Sequence, residues 1–224
     1  MNRSRVVSLV LWMTIGLHAV AQMQAPRVFI LIGPPGSGKT VQARQLSRQY
    51  KIPAISMAEL LKQEVGRKTP MGKALAASLE SGELVADAPA NQLMKGRLLR
   101  ADAGRGFILD GYPASEGQAR ALDAFLAEHS FTKPVIIVIN APEEVLRSRM
   151  TGRRRADDQP ANIDRRLADY RQVGRVVEQW YGSERIVRVD GAGTPAEVTA
   201  RIAQGIDALP SAGELKVRTP LNAQ

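Results

Sequence analysis

The chain has no cysteine and only two histidines, His18 and His129, among its 224 residues. No disulfide framework or thiolate zinc site can form, and an imidazole-based metal centre or triad has almost nothing to be built from. Aromatic residues make up 4% of the chain. None interleaves the arginine-rich stretch before Tyr170, so the stacking platforms that hold single-stranded nucleic acid are poorly supplied. The chemistry must therefore run on lysine, arginine and carboxylates.

What is abundant is positive charge. Thirty-one lysines and arginines face 22 acidic residues, a formal net charge of +9, and nine arginines fall between Arg147 and Arg175. Such a cluster calls for an anionic partner. Without interleaved aromatics, phosphorylated small molecules suit it better than nucleic acid. With 44% apolar and 24% charged residues, the composition is that of a globular protein with one sizeable core.

The N-terminus reads separately. Arg3 and Arg5 precede an apolar run, Val6 to Val20, that ends in Ala19-Val20-Ala21, the order of a secretory signal. The run falls short of the roughly 20 residues of a membrane span. Residues 1–21 are therefore read as a signal peptide cleaved after Ala21, which would make the protein periplasmic or secreted. A start at Met23 is the competing reading and would make it cytoplasmic.

Downstream, apolar runs alternate with helical patterns. Strands are expected at 28–32, 52–56, 106–110, 134–140 and 185–190, each nearly continuous in apolar residues as a parallel sheet covered on both faces requires. Helices are expected from the turn after Gly38 to Tyr50, then near 57–65, 71–80, 115–128, 142–150, 163–180 and 195–208. This alternation predicts a doubly wound α/β domain with a five-stranded parallel sheet. The segment 209–224 reads as a loose tail.

The opening strand runs into "GPPGSGKT", which matches G-x-x-x-x-G-K-[ST] at Gly33, Gly38, Lys39 and Thr40, between a strand and a helix. Glycines let successive amides point inward at phosphate oxygens, and the helix N-terminus adds its positive end. Lys39 reaches the β and γ phosphates, and Thr40 can ligate Mg²⁺. Asp110 closes the strand "GFILD" at the sheet edge where α/β folds bind ligands, the place of a carboxylate that supports the metal.

Seven motifs together resemble the adenylate kinases and their nucleoside monophosphate kinase relatives. They are "GPPGSGKTVQA" (33–43), "IPAIS" (52–56), "GELV" (82–85), "GFILDGYP" (106–113) followed by Gln118, "GRRRADD" (152–158), "DRRLADY" (164–170) and "VDG" (189–191). The resemblance covers about residues 25–205. It implies a P-loop NTPase-type sheet with helices on both faces, a small helical monophosphate-binding insertion near 56–85 and a short lid near 151–159, all in one kinase domain of residues 22–208. ATP and Mg²⁺ are the implied cofactors, a nucleoside monophosphate is the acceptor, and the kinase is expected to be a monomer.

The resemblance also assigns residues. Gly33, Gly36, Ser37, Gly38, Lys39, Thr40 and Val41 would hold the ATP phosphates, Arg149 would cover the ATP base, and Arg153 would lie on the phosphates. Arg155 and Arg166 would bridge the two phosphate chains, and Asp157 and Asp158 would tie the lid down. Lys39, Arg153, Arg155 and Arg166 carry the catalytic charge, since phosphoryl transfer needs positioning and positive charge rather than histidine. On the acceptor side Val85, Gly111 and Gln118 match base-recognising positions. "SMAELLK" puts Met57 and Lys62 where the family has threonine and arginine, and Ala114 stands where it has a phosphate-binding arginine. The donor half reads as complete and the acceptor half as altered. A different phosphate acceptor and a nucleotide-binding protein with weak catalysis remain alternatives.

Overall fold

A computed structural model describes residues 27–81, 85–152 and 159–209. Five strands form one parallel sheet: β1 (Arg27–Ile32), β2 (Ala54–Ser56), β3 (Gly106–Asp110), β4 (Val135–Asn140) and β5 (Ile186–Asp190), in the order β2-β3-β1-β4-β5. All the pairings are parallel, with β1 central between β3 and β4.

Alternation along the strands divides the core. Val28, Ile30 and Ile32 of β1 face one layer with Phe107 and Leu109 of β3. Phe29 and Leu31 face the other with Ile108, Ile137 and Ile139. The continuous apolar runs are thus two interleaved stripes, each covered by helices. On the second face lie α1 (Lys39–Tyr50) and α8 (Pro195–Asp207), through Ala43, Leu46, Val198 and Ile202. On the first lie α4 (Asp87–Leu98), α5 (Glu116–Glu128) and α7 (Pro160–Tyr181), through Met94, Leu98, Leu122, Phe125 and Val177. Helices α2 (Met57–Gly66) and α3 (Pro70–Ser81) adjoin that layer through Leu61 and Leu75. Helix α6 (Glu143–Gly152) meets α7 in a small separate cluster of Leu146, Met150, Ile163 and Leu167.

The five strands and seven expected helices form, with no end shifted by more than three residues. Helix α4 was not among the expectations. Its sequence, "DAPANQLMKGRL", carries Pro89 and Gly96 and has no strong apolar stripe, so neither propensity nor period announces it. Tertiary burial of Ala90, Met94 and Leu98 decides it. Residues 1–21, the proposed signal, and 153–158, the centre of the proposed lid, lie outside the described residues. Among the described residues no helix is long and apolar enough to cross a membrane.

Candidate active site

The register Leu31↔Asp110 and Ser56↔Asp110 brings the ends of β1, β2 and β3 to one sheet edge. There, at the edge where strand order reverses and α/β sheets bind ligands, a cleft of about 720 Å³ opens. Its walls include Gly33, Gly36, Ser37, Gly38, Lys39, Thr40 and Val41 of the loop after β1. Gly36 has φ +86°, and a Cβ there would come within 2.7 Å of the Leu146 carbonyl oxygen, so only glycine serves. Gly38 caps α1 with no side-chain acceptor on the helix amides, which leaves that N-terminus suited to an anion.

Lys39 turns back on its own loop, its Nζ donating to the Gly33 oxygen at 2.5 Å and the Pro34 oxygen at 2.9 Å. Ser37 is buried at 1% exposure, and its Oγ has no hydrogen-bond partner among the described residues. A buried hydroxyl costs free energy unless something meets it, and a phosphate oxygen in the loop would. Thr40 Oγ1 donates to Asp110 Oδ2 at 2.6 Å. This hydroxyl–carboxylate pair is a hard-oxygen donor set suited to Mg²⁺, which keeps several waters and needs few protein ligands. Among the described residues there is no cluster of three or more His, Cys, Asp or Glu that could hold a metal by itself.

Arg149, near the end of α6, donates to the Gly191 oxygen at 2.9 Å and the Gly193 oxygen at 3.1 Å, with the Gly36 oxygen at 3.5 Å. It ties the β5–α8 loop to the phosphate loop while lining the cleft. Arg166 lines the cleft from α7 with Asp169, Tyr170 and Val173, the i, i+3, i+4, i+7 face of that helix. The Tyr170 hydroxyl donates to Asn140 Oδ1 at 3.3 Å. Burial, with the Glu178 charge adding to it, pushes that phenol up to about 12.

Among the described residues one stretch of the cleft lining is neutral. Ser56, Met57, Ala58, Leu61, Val85, Ala90, Gly111, Tyr112, Pro113, Ala114 and Gln118 form it. Tyr112 is 3% exposed, its hydroxyl 2.8 Å from Asn91 Oδ1 and 3.2 Å from the Gln118 oxygen. Burial chiefly, and then the Asp87 charge, raise its pKa.

A model of the adenylate kinase family matches residues 31–186. The chain belongs to the adenylate kinase family. The adenylate kinase of Micrococcus luteus is 36% identical over 197 residues, spanning 85% of this chain and 96% of that protein. That of Xylella fastidiosa strain M12 is 40% identical over 179 residues, with 78% and 96% covered. That of Stenotrophomonas maltophilia is 37% identical over 184 residues, with 80% and 98% covered.

Set on the adenylate kinase fold, the residues singled out from sequence sort plainly. The seven loop residues, Asp110, Met57, Val85, Gly111, Gln118, Arg149 and Arg166 all line the one cleft, as does Ala114. Arg153, Arg155, Asp157 and Asp158 lie outside the described residues. Lys62 does not line the cleft. Its ammonium is 3.7 Å from Glu59 on the exposed side of α2, whose buried face is Met57, Leu61 and Glu64. One helical step past Leu61 turns position 62 outward.

Sequence reasoning missed Gln42, Asp87, Tyr112, Asp169 and Tyr170. Buried Gln42 joins α1 to α8, its Nε2 donating to the Pro195 oxygen at 2.9 Å and its Oε1 accepting from Thr199 at 2.8 Å. Asp169 and Tyr170 stood within a motif already quoted, at the i+3 and i+4 offsets from Arg166 that could have found them.

Proposed function

We propose that this adenylate kinase family member transfers the γ-phosphoryl group of Mg-ATP to AMP, or to another nucleoside monophosphate, and releases two diphosphates. An acceptor phosphate oxygen attacks the γ-phosphorus while the bond from that phosphorus to the β-phosphate bridging oxygen breaks. ADP leaves with the charge of that oxygen, and no histidine has to move a proton.

The observation that carries the reading is a single cleft with two unlike ends. Among the described residues, one holds the uncapped N-terminus of α1, Lys39 and a Ser37 hydroxyl with no partner; the other is uncharged, with a buried amide, Gln118. In this reading Gly33, Gly36, Ser37, Gly38, Thr40 and Val41 cradle the triphosphate. Arg149 serves the ATP side, while Lys39 and Arg166 counter the charge in flight, together with Arg153 and Arg155 from beyond the described residues. Val85, Gly111 and Gln118 meet the acceptor base, Met57 belongs to the monophosphate-binding stretch, and Lys62 is at most a rim charge. Thr40 and Asp110 would hold Mg²⁺, which would supply positive charge against the phosphates.

The kinase domain spans residues 22–208 in this proposal, with an acceptor-binding insertion near 56–85 and a short lid near 151–159, and it works as a monomer. Residues 1–21 direct export; a mature N-terminus at Gln22, rather than a start at Met23, would support that.

The test is a coupled assay of ADP formation that requires both ATP and a monophosphate. Absence of turnover with AMP, CMP, UMP and GMP, under conditions where ATP binds, would reject the kinase. A second reading, nucleotide binding with weak catalysis, is favoured by one observation: among the described residues no cation lines the acceptor wall, where Ala114 stands.

A further inference from the structure

Gln118 sits in the first turn of α5 at 3% exposure and lines the acceptor end of the cleft. Both ends of its amide are engaged. Oε1 accepts the Ala114 N–H at 2.8 Å, and Nε2 donates to Asp87 Oδ1 at 3.1 Å. A backbone N–H needs an acceptor and a carboxylate needs a donor, so these two partners decide which end of the amide is which.

Asp87 comes from the first turn of α4. Its Oδ1 also accepts from Ser115 Oγ, the N-cap of α5, at 2.6 Å. A Cβ on Gly117 would stand 2.2 Å from Asp87 Oδ2. The carboxylate is thus wedged against the N-terminus of α5, held by a hydroxyl and an amide, with a glycine leaving it room. One Nε2 hydrogen and one Oε1 lone pair remain for whatever occupies the cleft.

We propose that Asp87 is the positioning residue that sets which acceptor base is taken, by locking the Gln118 amide in one orientation. This rests on the reading above that Gln118 meets the base. In the locked sense the free amide edge offers a donor beside an acceptor, which the N1 and 6-amino edge of adenine completes. A 6-oxo purine in the same pose presents the reverse order and needs the amide turned over. Turning it would set Nε2 against the Ala114 N–H and Oε1 against the Asp87 carboxylate. Two half-buried hydrogen bonds of a buried amide would become two repulsions, and a site built on such hydrogen bonds discriminates between bases.

The test measures kcat/KM for AMP and for IMP with Mg-ATP in the full chain and in Asp87→Ala, Asp87→Asn and Gly117→Ala. The wild type favours AMP. Asp87→Ala narrows the AMP-to-IMP ratio by tenfold or more, and Asp87→Asn, whose Oδ1 still accepts from Nε2, restores most of it. Gly117→Ala displaces the carboxylate and narrows the ratio by a second route should Asp87→Ala fail to fold. Equal losses on both substrates, with the ratio unchanged, would overturn the assignment, as would a wild type indifferent to the two bases. Wild-type turnover of neither monophosphate overturns the acceptor reading itself, and this assignment with it.

Discussion

Thr40 Oγ1 donates to Asp110 Oδ2 at 2.6 Å across 70 residues of chain. The contact follows from the pairing of Leu31 with Asp110, which sets the end of β3 beside the loop that leaves β1. Asp110 is 7% exposed, and a charge this buried needs a partner. Asp110→Asn keeps the shape and removes the charge. The Mg²⁺ concentration for half-maximal turnover should rise by on the order of tenfold or more, the usual scale for losing a group that supports a metal site. An unchanged Mg²⁺ requirement would remove Asp110 from the metal site.

Lys39 is held by the carbonyls of its own loop, at 2.5 and 2.9 Å; in the proposed reaction it exchanges them for phosphate oxygens. Lys39→Met should weaken Mg-ATP binding by about 30-fold or more, the scale for leaving buried charge unpaired, roughly 2 to 5 kcal/mol. Titration calorimetry of the two proteins reads this directly. Equal heats and equal Kd would refute the role.

Ala114 lies on the neutral wall of the cleft, where its side chain can give a phosphate nothing. Ala114→Arg should lower KM for AMP by about tenfold or more with a smaller change in KM for ATP, since an engaged guanidinium fork contributes roughly 2 kcal/mol or more. Initial rates at varied AMP and fixed Mg-ATP check it. A KM for AMP unmoved or raised would show that the acceptor phosphate sits elsewhere.

One buried phenol, Tyr112, and two partly buried ones, Tyr170 and Tyr181, set an alkaline limit. Tyr112, Tyr170 and Tyr181 are all raised above the ordinary value of 10.0, mainly by burial, Tyr170 to about 12. A raised folded-state pKa gives stability that is complete below the unfolded value and lost as pH climbs past it. Melting temperature should therefore be insensitive to these groups below pH 10 and fall between pH 10 and 12. Tyr170→Phe removes one such group, so its melting curve should decline less steeply over that window. Identical slopes for variant and wild type would rule Tyr170 out as a contributor.

Much of the cleft was legible because its chemistry is local. The spacing from Gly33 to Thr40 obliges a turn between strand and helix, and the apolar runs at 106–110 and 134–140 can lie only inside a sheet covered on both sides. Lys62 was harder: its neighbours in sequence place it near the acceptor, yet the helical turn after Leu61 carries it to the surface beside Glu59. Helix α4 was illegible because Pro89 and Gly96 argue against it and only tertiary burial, against α5 and α2, favours it.

The local pattern alone dictated a phosphate loop on a parallel sheet, since backbone amides and one lysine act over a few residues. What tertiary packing decided is which distant groups share the cleft. Asp87 meets Gln118 across 31 residues and Thr40 meets Asp110 across 70. No periodicity encodes such meetings: they arise when polar side chains, drawn partly or wholly out of water, have to find their hydrogen bonds in one another.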